Sequence, residues 1–225
     1  MKTIHVICEG QTEAKFVMEI LWPQFDYSDY IFVPEILLTK NDIRKGKMYK
    51  GGISTFKKAE NSIRKALNSA KGKKDMFVTT MFDFYGLPQD TPGMDECKKL
   101  SDAYKKVELI EDSIKVGFYD APSFLPYIQL HEFETLLFAD LDILKETYFD
   151  NPADFDELYT CVTEFNNIEL INGGTETAPS KRLKKCIPHY DKTVLGIAAL
   201  KKVRFDTMRE KCRHFDDWVH KIESL

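Results

Sequence analysis

The sequence predicts an α/β fold, with a mainly parallel sheet flanked by helices and a helical C-terminal extension. Three observations lead there. Short apolar runs rich in β-branched residues alternate with helix-like segments over the first 150 residues. Three of those runs end in acids, at the carboxyl ends of strands where open parallel sheets bind their ligands. From about Pro152 onward the pattern is mostly helical. With 225 residues, 43% of them hydrophobic and 30% charged, the chain can bury one sizeable core and is short for two full domains. The expected organisation is a core over residues 1–150 and a helical extension over 151–225 packed on it as one structural unit.

The elements follow in order. Thr3–Cys8 alternates and then turns apolar, as an early central strand does, and Glu9-Gly10-Gln11-Thr12-Glu13 interrupts it before a helix to about Leu21, with Thr12 as the candidate N-cap. Ile31–Leu38 reads as a second strand, and the lysine-rich, glycine-containing stretch Thr39–Gly52 as a mobile loop. Ser54 is placed to cap a helix to about Ala70, whose exposed face carries Lys57, Lys58, Arg64 and Lys65. Met76–Phe82 is a strand ended by Asp83, because the glycine and prolines from Gly86 to Pro92 force a loop. Asp95–Ile114 has a helical pattern. Phe124–Leu130 reads as a strand leading into His131-Glu132-Phe133-Glu134 and a short apolar helix. A polar break at Asn172–Pro179 precedes the basic helix start Ser180-Lys181-Arg182-Leu183-Lys184-Lys185, and no internal repeat is visible.

Composition narrows the function classes. The five cysteines, at 8, 97, 161, 186 and 212, form no CxxC pair and no close Cys/His group, so neither a zinc site nor a disulfide framework is expected and reduced, buried thiols are. No run approaches the roughly 20 apolar residues a bilayer requires, and the first residues lack the apolar stretch of a signal peptide, so a cytoplasmic protein without membrane contact is expected. A formal charge of −4 excludes a uniformly basic nucleic-acid coat but leaves room for a local basic surface. The absence of a GxxxxGK[ST] motif means that any ATP dependence must come from a partner.

Chemistry concentrates in the acids. Glu9, Asp83, Glu132 and Glu134 each follow an apolar strand-like run, so a parallel sheet brings them towards one edge. Mg²⁺ or Mn²⁺ takes oxygen ligands and needs only one or two protein carboxylates per ion. Two such ions about 3.5–4 Å apart activate a water and stabilise the leaving oxygen of a phosphodiester. The structural alternative is that strand-end acids serve as helix caps and surface charges. Glu13 reads equally as a further ligand or as a first-turn acid favoured by the helix dipole. His131 reads as general base, metal ligand or hydrogen-bonded structural residue. Tyr85 reads as a packed aromatic at the loop mouth. Ser180, Lys181 and Arg182 suit phosphate contacts, Lys181 also stabilisation of developing negative charge, or else belong to a solvated basic face. Phe215, Trp218, Val219 and Ile222 are core positions or a docking face for a partner.

Glu9–Glu13 (EGxTE), Asp83–Pro88 (DFYGLP), His131–Glu134 (HEFE) and Asn172–Leu183 (NGGxETAPSKRL) together resemble a prokaryotic family of Toprim-like proteins classed as a domain of unknown function. The resemblance extends over almost the whole chain and is distantly similar to Toprim nucleases of the overcoming-lysogenization-defect type. It implies a glutamate after the first strand, an acidic motif after a later one, and Mg²⁺ between them. Glu9 matches the Toprim glutamate and Asp83 the first acid of its DxD motif, while Tyr85 stands where the second aspartate belongs. Glu132 or Glu134 is the expected replacement. The resemblance further implies an effector of anti-phage or toxin-like systems acting beside an AAA- or ABC-type ATPase.

The expected activity is therefore Mg²⁺- or Mn²⁺-dependent endonucleolytic hydrolysis of DNA or RNA. Glu9, Glu13, Asp83, Glu132 and Glu134 are the expected ligands, with Glu134, His131 and Lys181 as catalytic groups and Ser180, Lys181 and Arg182 on substrate phosphate. The rival expectation is a non-catalytic subunit that binds nucleic acid or an ATPase and keeps a residual metal pocket. A phosphatase or nucleotide hydrolase is a third.

Overall fold

β1 (Lys2–Cys8) is central because its side chains suit burial on both faces, and Ile4, Val6, Ile7 and Cys8 are fully buried. The structure, a computed structural model, describes residues 1–37, 53–148, 154–171 and 177–225. It contains two compact units, Met1–Ile128 and Gln129–Leu225, and the division falls earlier in the chain than the change of pattern near residue 151.

In the first unit β1 pairs in parallel with β2 (Tyr30–Ile36) on one side and with β3 (Met76–Asp83) on the other. The strand order is β2-β1-β3-β4, with β4 (Phe124–Leu125) parallel to β3 and a further two-residue strand, β5 (Ile128–Gln129), also pairing with β3. The parallel sheet flanked by helices is thus observed. α1 (Gln11–Phe16), continued by a π-helical turn at Val17–Leu21, packs on β1 and β2, and α2 (Phe56–Ala70) packs on β3 and β1. Since one connection leaves β1 towards β2 and the other crosses to β3, the strand order reverses between β1 and β3. Open α/β sheets bind their ligands outside the strands' carboxyl ends at such a reversal.

Several boundaries differ from the sequence expectation, each for a local reason. Gly10, not Thr12, is the N-cap of α1, and Thr12 is buried inside the first turn. α2 is capped from a distance: Thr55 holds the N-cap position without a side-chain bond, and Asp90 accepts the Phe56 N–H through both carboxylate oxygens at 3.0 and 3.1 Å. Ser54 Oγ instead accepts Lys58 Nζ at 2.7 Å. The helix expected over Asp95–Ile114 is two, α3 (Met94–Cys97) and α4 (Ala103–Gly117), because Asp102 starts a new helix by accepting the Lys105 N–H at 3.0 Å. The strand expected over Phe124–Leu130 is split at Pro126, which has no N–H for the ladder. Across that split Thr80 Oγ1 donates to the Tyr127 carbonyl and accepts the Tyr127 N–H, both at 2.8 Å, so the two buried polar groups are satisfied. The stretch Thr39–Gly52 lies outside the described residues.

The second unit is helical. A 3₁₀ segment, Phe133–Ala139, is fully buried and is followed by α5 (Leu141–Thr147) and α6 (Phe155–Phe165). After these come α7 (Pro179–Cys186), a π-helical turn at Lys192–Gly196 running into α8 (Ile197–Leu200), α9 (Phe205–Lys211) and α10 (Arg213–Glu223). Phe215, Trp218, Val219 and Ile222 of α10 are buried and so belong to this unit's core. The Glu169 carboxylate, also fully buried, accepts the N–H groups of His214 and Phe215 at 3.0 and 3.1 Å and so holds the start of α10. The cysteines are all free and buried. No helix among the described residues is long and apolar enough to cross a membrane.

Candidate functional site

The parallel register puts Cys8 level with Met81, so β1 and β3 end together, and the Glu9 N–H continues the ladder by donating to the Met81 carbonyl at 3.3 Å. The next polar groups on the two strands are Glu9 and Asp83. They meet: the Asp83 N–H donates to Glu9 Oε2 at 3.3 Å, which holds the Glu9 carboxylate over the end of β3. Both residues are half-buried. The chain then turns through a 3₁₀ segment, Phe84–Gly86, and the Glu9 carboxylate lies against its glycine. A Cβ on Gly86 would stand 2.7 and 2.9 Å from the two Glu9 oxygens. Tyr85, expected as a packed aromatic at the loop mouth, is instead 41% exposed.

Glu13, in the first turn of α1, is buried, and Gly10 leaves space for it: a Cβ there would lie 3.2 Å from Glu13 Oε2. Burial, and then the Glu13 carboxylate, push the Cys8 thiol well above its ordinary range. The thiol is therefore neutral and unreactive. The two glycines that the sequence displays as motif letters are each the space a carboxylate occupies.

The remaining candidates lie in the second unit. His131 is buried and sits in the left-handed region at φ 61°, a conformation that costs a non-glycine residue about 1–2 kcal/mol. Glu132 caps α7. Its Oε2 accepts the Ser180 N–H at 2.8 Å and its Oε1 the Ser180 hydroxyl at 3.0 Å. Pro179 at the first helical position has no N–H, so Ser180 carries the first backbone donor of the helix, and the carboxylate also faces the positive end of the helix dipole. The Arg182 guanidinium is turned inward, with Nε donating to the Thr177 carbonyl at 2.8 Å and its carbon 5.6 Å from the centre of the Phe165 ring. Lys181 is exposed. Asn172–Glu176 of the NGGxETAPSKRL motif lie outside the described residues.

Glu134 is buried in the 3₁₀ segment, and Lys192, the first residue of the π-helical turn, places Nζ 3.9 Å from its Oε2. The Tyr190 hydroxyl lies in the same neighbourhood. Burial first, and the Glu134 carboxylate next, raise it well above the ordinary phenol range, so it is a neutral donor. Lys192 and Tyr190 escaped the sequence reading because neither stands in a recognisable motif; a π-helical turn leaves no signature in the residue pattern.

The structure therefore joins Glu9 to Asp83 in one unit, and Glu132 to Ser180 and Glu134 to Lys192 in the other. Among the described residues no three His, Cys, Asp or Glu side chains are grouped so as to hold a metal ion. A family model, Domain of unknown function (DUF4276), matches residues 8–223. No curated protein and no solved structure matches the chain.

Proposed function

The chain belongs to the DUF4276 family, and from that premise we propose that it is a Mg²⁺- or Mn²⁺-dependent phosphodiester hydrolase acting on DNA or RNA. One observation carries the reading. At the ends of two adjacent parallel strands, the Asp83 backbone N–H donates to the Glu9 carboxylate at the point where the strand order reverses. Ligands of open α/β sheets bind at such a point.

The residues fit a magnesium-like ion in number and chemistry. Such an ion retains most of its water and takes one or two carboxylates, and Glu9 and Asp83 would supply two. Once bound, the ion supplies a lowered water pKa and neutralises charge on the phosphodiester. What the chain itself does is orient. The Asp83 N–H and the open space at Gly86 hold the Glu9 carboxylate in place before any ligand arrives. In the second unit Lys181 is exposed on α7, and Ser180 and Glu132 serve the helix start. The likeness to Toprim nucleases belongs to this same proposal, as do a cytoplasmic location, which the free thiols suit, and an ATPase partner.

The test is incubation of the purified chain with linear and supercoiled DNA and with structured RNA, in Mg²⁺, Mn²⁺, Ca²⁺ or EDTA, alongside Asp83→Asn and Glu9→Gln. Metal-dependent cleavage that both variants abolish while keeping their circular dichroism is the expected result. Unfolding of both variants would make the acids structural and end the assignment.

A second reading, a binding subunit without turnover, is favoured by Tyr85 in the place of an acid and by the lack of a three-ligand group among the described residues. It predicts binding of polymer or ATPase with no cleavage in any metal.

A further inference from the structure

The chain carries a formal charge of −4, yet Lys57–Lys74 holds seven basic residues against the single acid Glu60. This segment is α2 and the turn after it, and all of it lies in the first unit. The apolar side of the helix, Phe56, Ala59, Ile63, Ala66 and Ala70, is buried, so the basic residues are forced onto the solvent side. There Asn61, Arg64, Lys65, Asn68 and Ser69 line a shallow groove. The Lys65 and Arg64 side chains are 78% and 45% exposed, and Lys71, Lys73 and Lys74 continue the basic surface beyond the helix end.

We propose that this face of α2 is a nucleic-acid docking surface that holds the phosphodiester backbone without reading bases. The groove offers side-chain N–H and O–H donors, and phosphate oxygens are acceptors only. Its residues recur at three- and four-residue steps from Asn61 to Ser69, and the C-cap Lys71 extends the row to a rise of about 15 Å, which matches the axial length of about four phosphates of one strand. The helix dipole explains lysines in the last turn alone and leaves Lys57, Lys58, Arg64 and Lys65 unaccounted for. Local acids reduce the field without cancelling it. Glu60 pairs with Lys57 and Arg64 at 2.7 and 2.6 Å, while Glu35 stands 4.0 Å from Lys65. Arg64 is further steadied over the Phe118 ring at 5.2 Å. An anionic membrane is the poorer occupant, because a membrane-surface helix exposes large apolar or aromatic side chains beside its lysines, and the large apolar groups Phe56 and Ile63 point inward.

The surface deepens the hydrolase reading by naming where the polymer is held, and rests on it only for that polymer being a substrate. α2 begins at the carboxyl edge of the sheet, where Asp90 holds the Phe56 N–H, and runs back along β3. Lys57 and Lys58 are thus nearest that edge and Lys71–Lys74 farthest.

Binding of the full chain to fluorescein-labelled 20-nucleotide single-stranded DNA, 20-base-pair duplex DNA and a 20-nucleotide RNA, in EDTA across a salt series, tests the assignment apart from catalysis. We expect affinity for at least one polymer to fall linearly with salt on logarithmic axes. The variant Lys65→Gln/Lys71→Gln/Lys73→Gln, all exposed positions, should reduce that slope by about 2–3 and weaken binding at least about tenfold at low salt. Lys221→Gln, at an exposed position outside both surfaces' named residues, should bind as the wild type does. The α2 assignment is overturned if the triple variant binds normally, if Lys181→Gln/Lys184→Gln on α7 loses the binding instead, if no polymer binds at low salt, or if phosphatidylserine vesicles bind more tightly than any polymer. Metal-dependent cleavage by the triple variant at the wild-type rate would overturn only the α2 surface. Normal salt-dependent binding without cleavage would leave α2 standing and remove the hydrolase reading.

Discussion

Glu132 and Ser180, 48 residues apart in sequence, form a two-point contact in which one carboxylate accepts both the backbone N–H and the hydroxyl of the same serine. It links two of the four motifs, HEFE and the SKRL end of the late one, and it does so for a helix whose N-cap position, Ala178, has no capping side chain. The acid supplies from a distance what a local serine or aspartate supplies elsewhere.

Removing either partner should weaken the second unit. Ser180→Ala and Glu132→Gln are each expected to cost about 1–2 kcal/mol, the usual range for a lost cap or charge-assisted bond. The double variant should cost clearly less than the sum, because the two residues share one interaction. Urea denaturation of the three variants measures this. Additive losses would mean that the two side chains act independently.

Gly86 and Glu9 compete for one volume. Gly86→Ala places a Cβ within 2.9 Å of both carboxylate oxygens and is expected to push the Glu9 carboxylate aside, at a cost to the first unit of about 1 kcal/mol, the low end of overpacking. Shortening the acid should relieve the clash. Gly86→Ala/Glu9→Ala is therefore expected to melt higher than Gly86→Ala alone, and a double variant that melts lower would show that the glycine is needed for backbone reasons.

Glu169 is fully buried and holds two backbone donors of α10. Glu169→Leu leaves both N–H groups without their acceptor, and a loss of about 2–4 kcal/mol is expected. Glu169→Gln keeps one acceptor and should recover part of that loss. Chemical denaturation orders the three proteins, and equal stability of the two variants would contradict the hydrogen-bond account.

The alkaline limb of stability should be set by buried neutral groups. Burial raises the thiols of Cys8 and Cys212 well above their ordinary value of 9.0 and the Tyr148 hydroxyl from 10.0 to about 12. In each case the unfolded chain releases its proton first. The folded state then binds more protons, and unfolding free energy falls as pH rises. Stability should thus be full below about pH 9, start to fall there as unfolded thiols ionise, and fall more steeply between pH 10 and 12 as Tyr148, Tyr159 and Tyr190 join, Tyr148 supplying one part of that limb. Tyr148→Phe should flatten the steeper part while leaving the onset in place. A variant curve parallel to the wild type up to pH 12 would remove Tyr148 from the account.

The sequence by itself determined the alternation of elements, the central place of Thr3–Cys8, the strand ending at Asp83 and the candidacy of Glu9 beside it. Those follow from local chemistry, since apolar periodicity and turn residues act over a few positions and are written in order along the chain. Tertiary structure alone decided which acids are joined to what. Asp90 capping Phe56, Glu132 capping Ser180 and Glu169 holding His214 and Phe215 are bonds between residues 34 to 48 positions apart, and a carboxylate's partner over that span depends on packing rather than on its neighbours. The same holds for Gly10 and Gly86, which look like turn residues in the chain. Only the folded strand ends reveal that each one is the room a carboxylate needs.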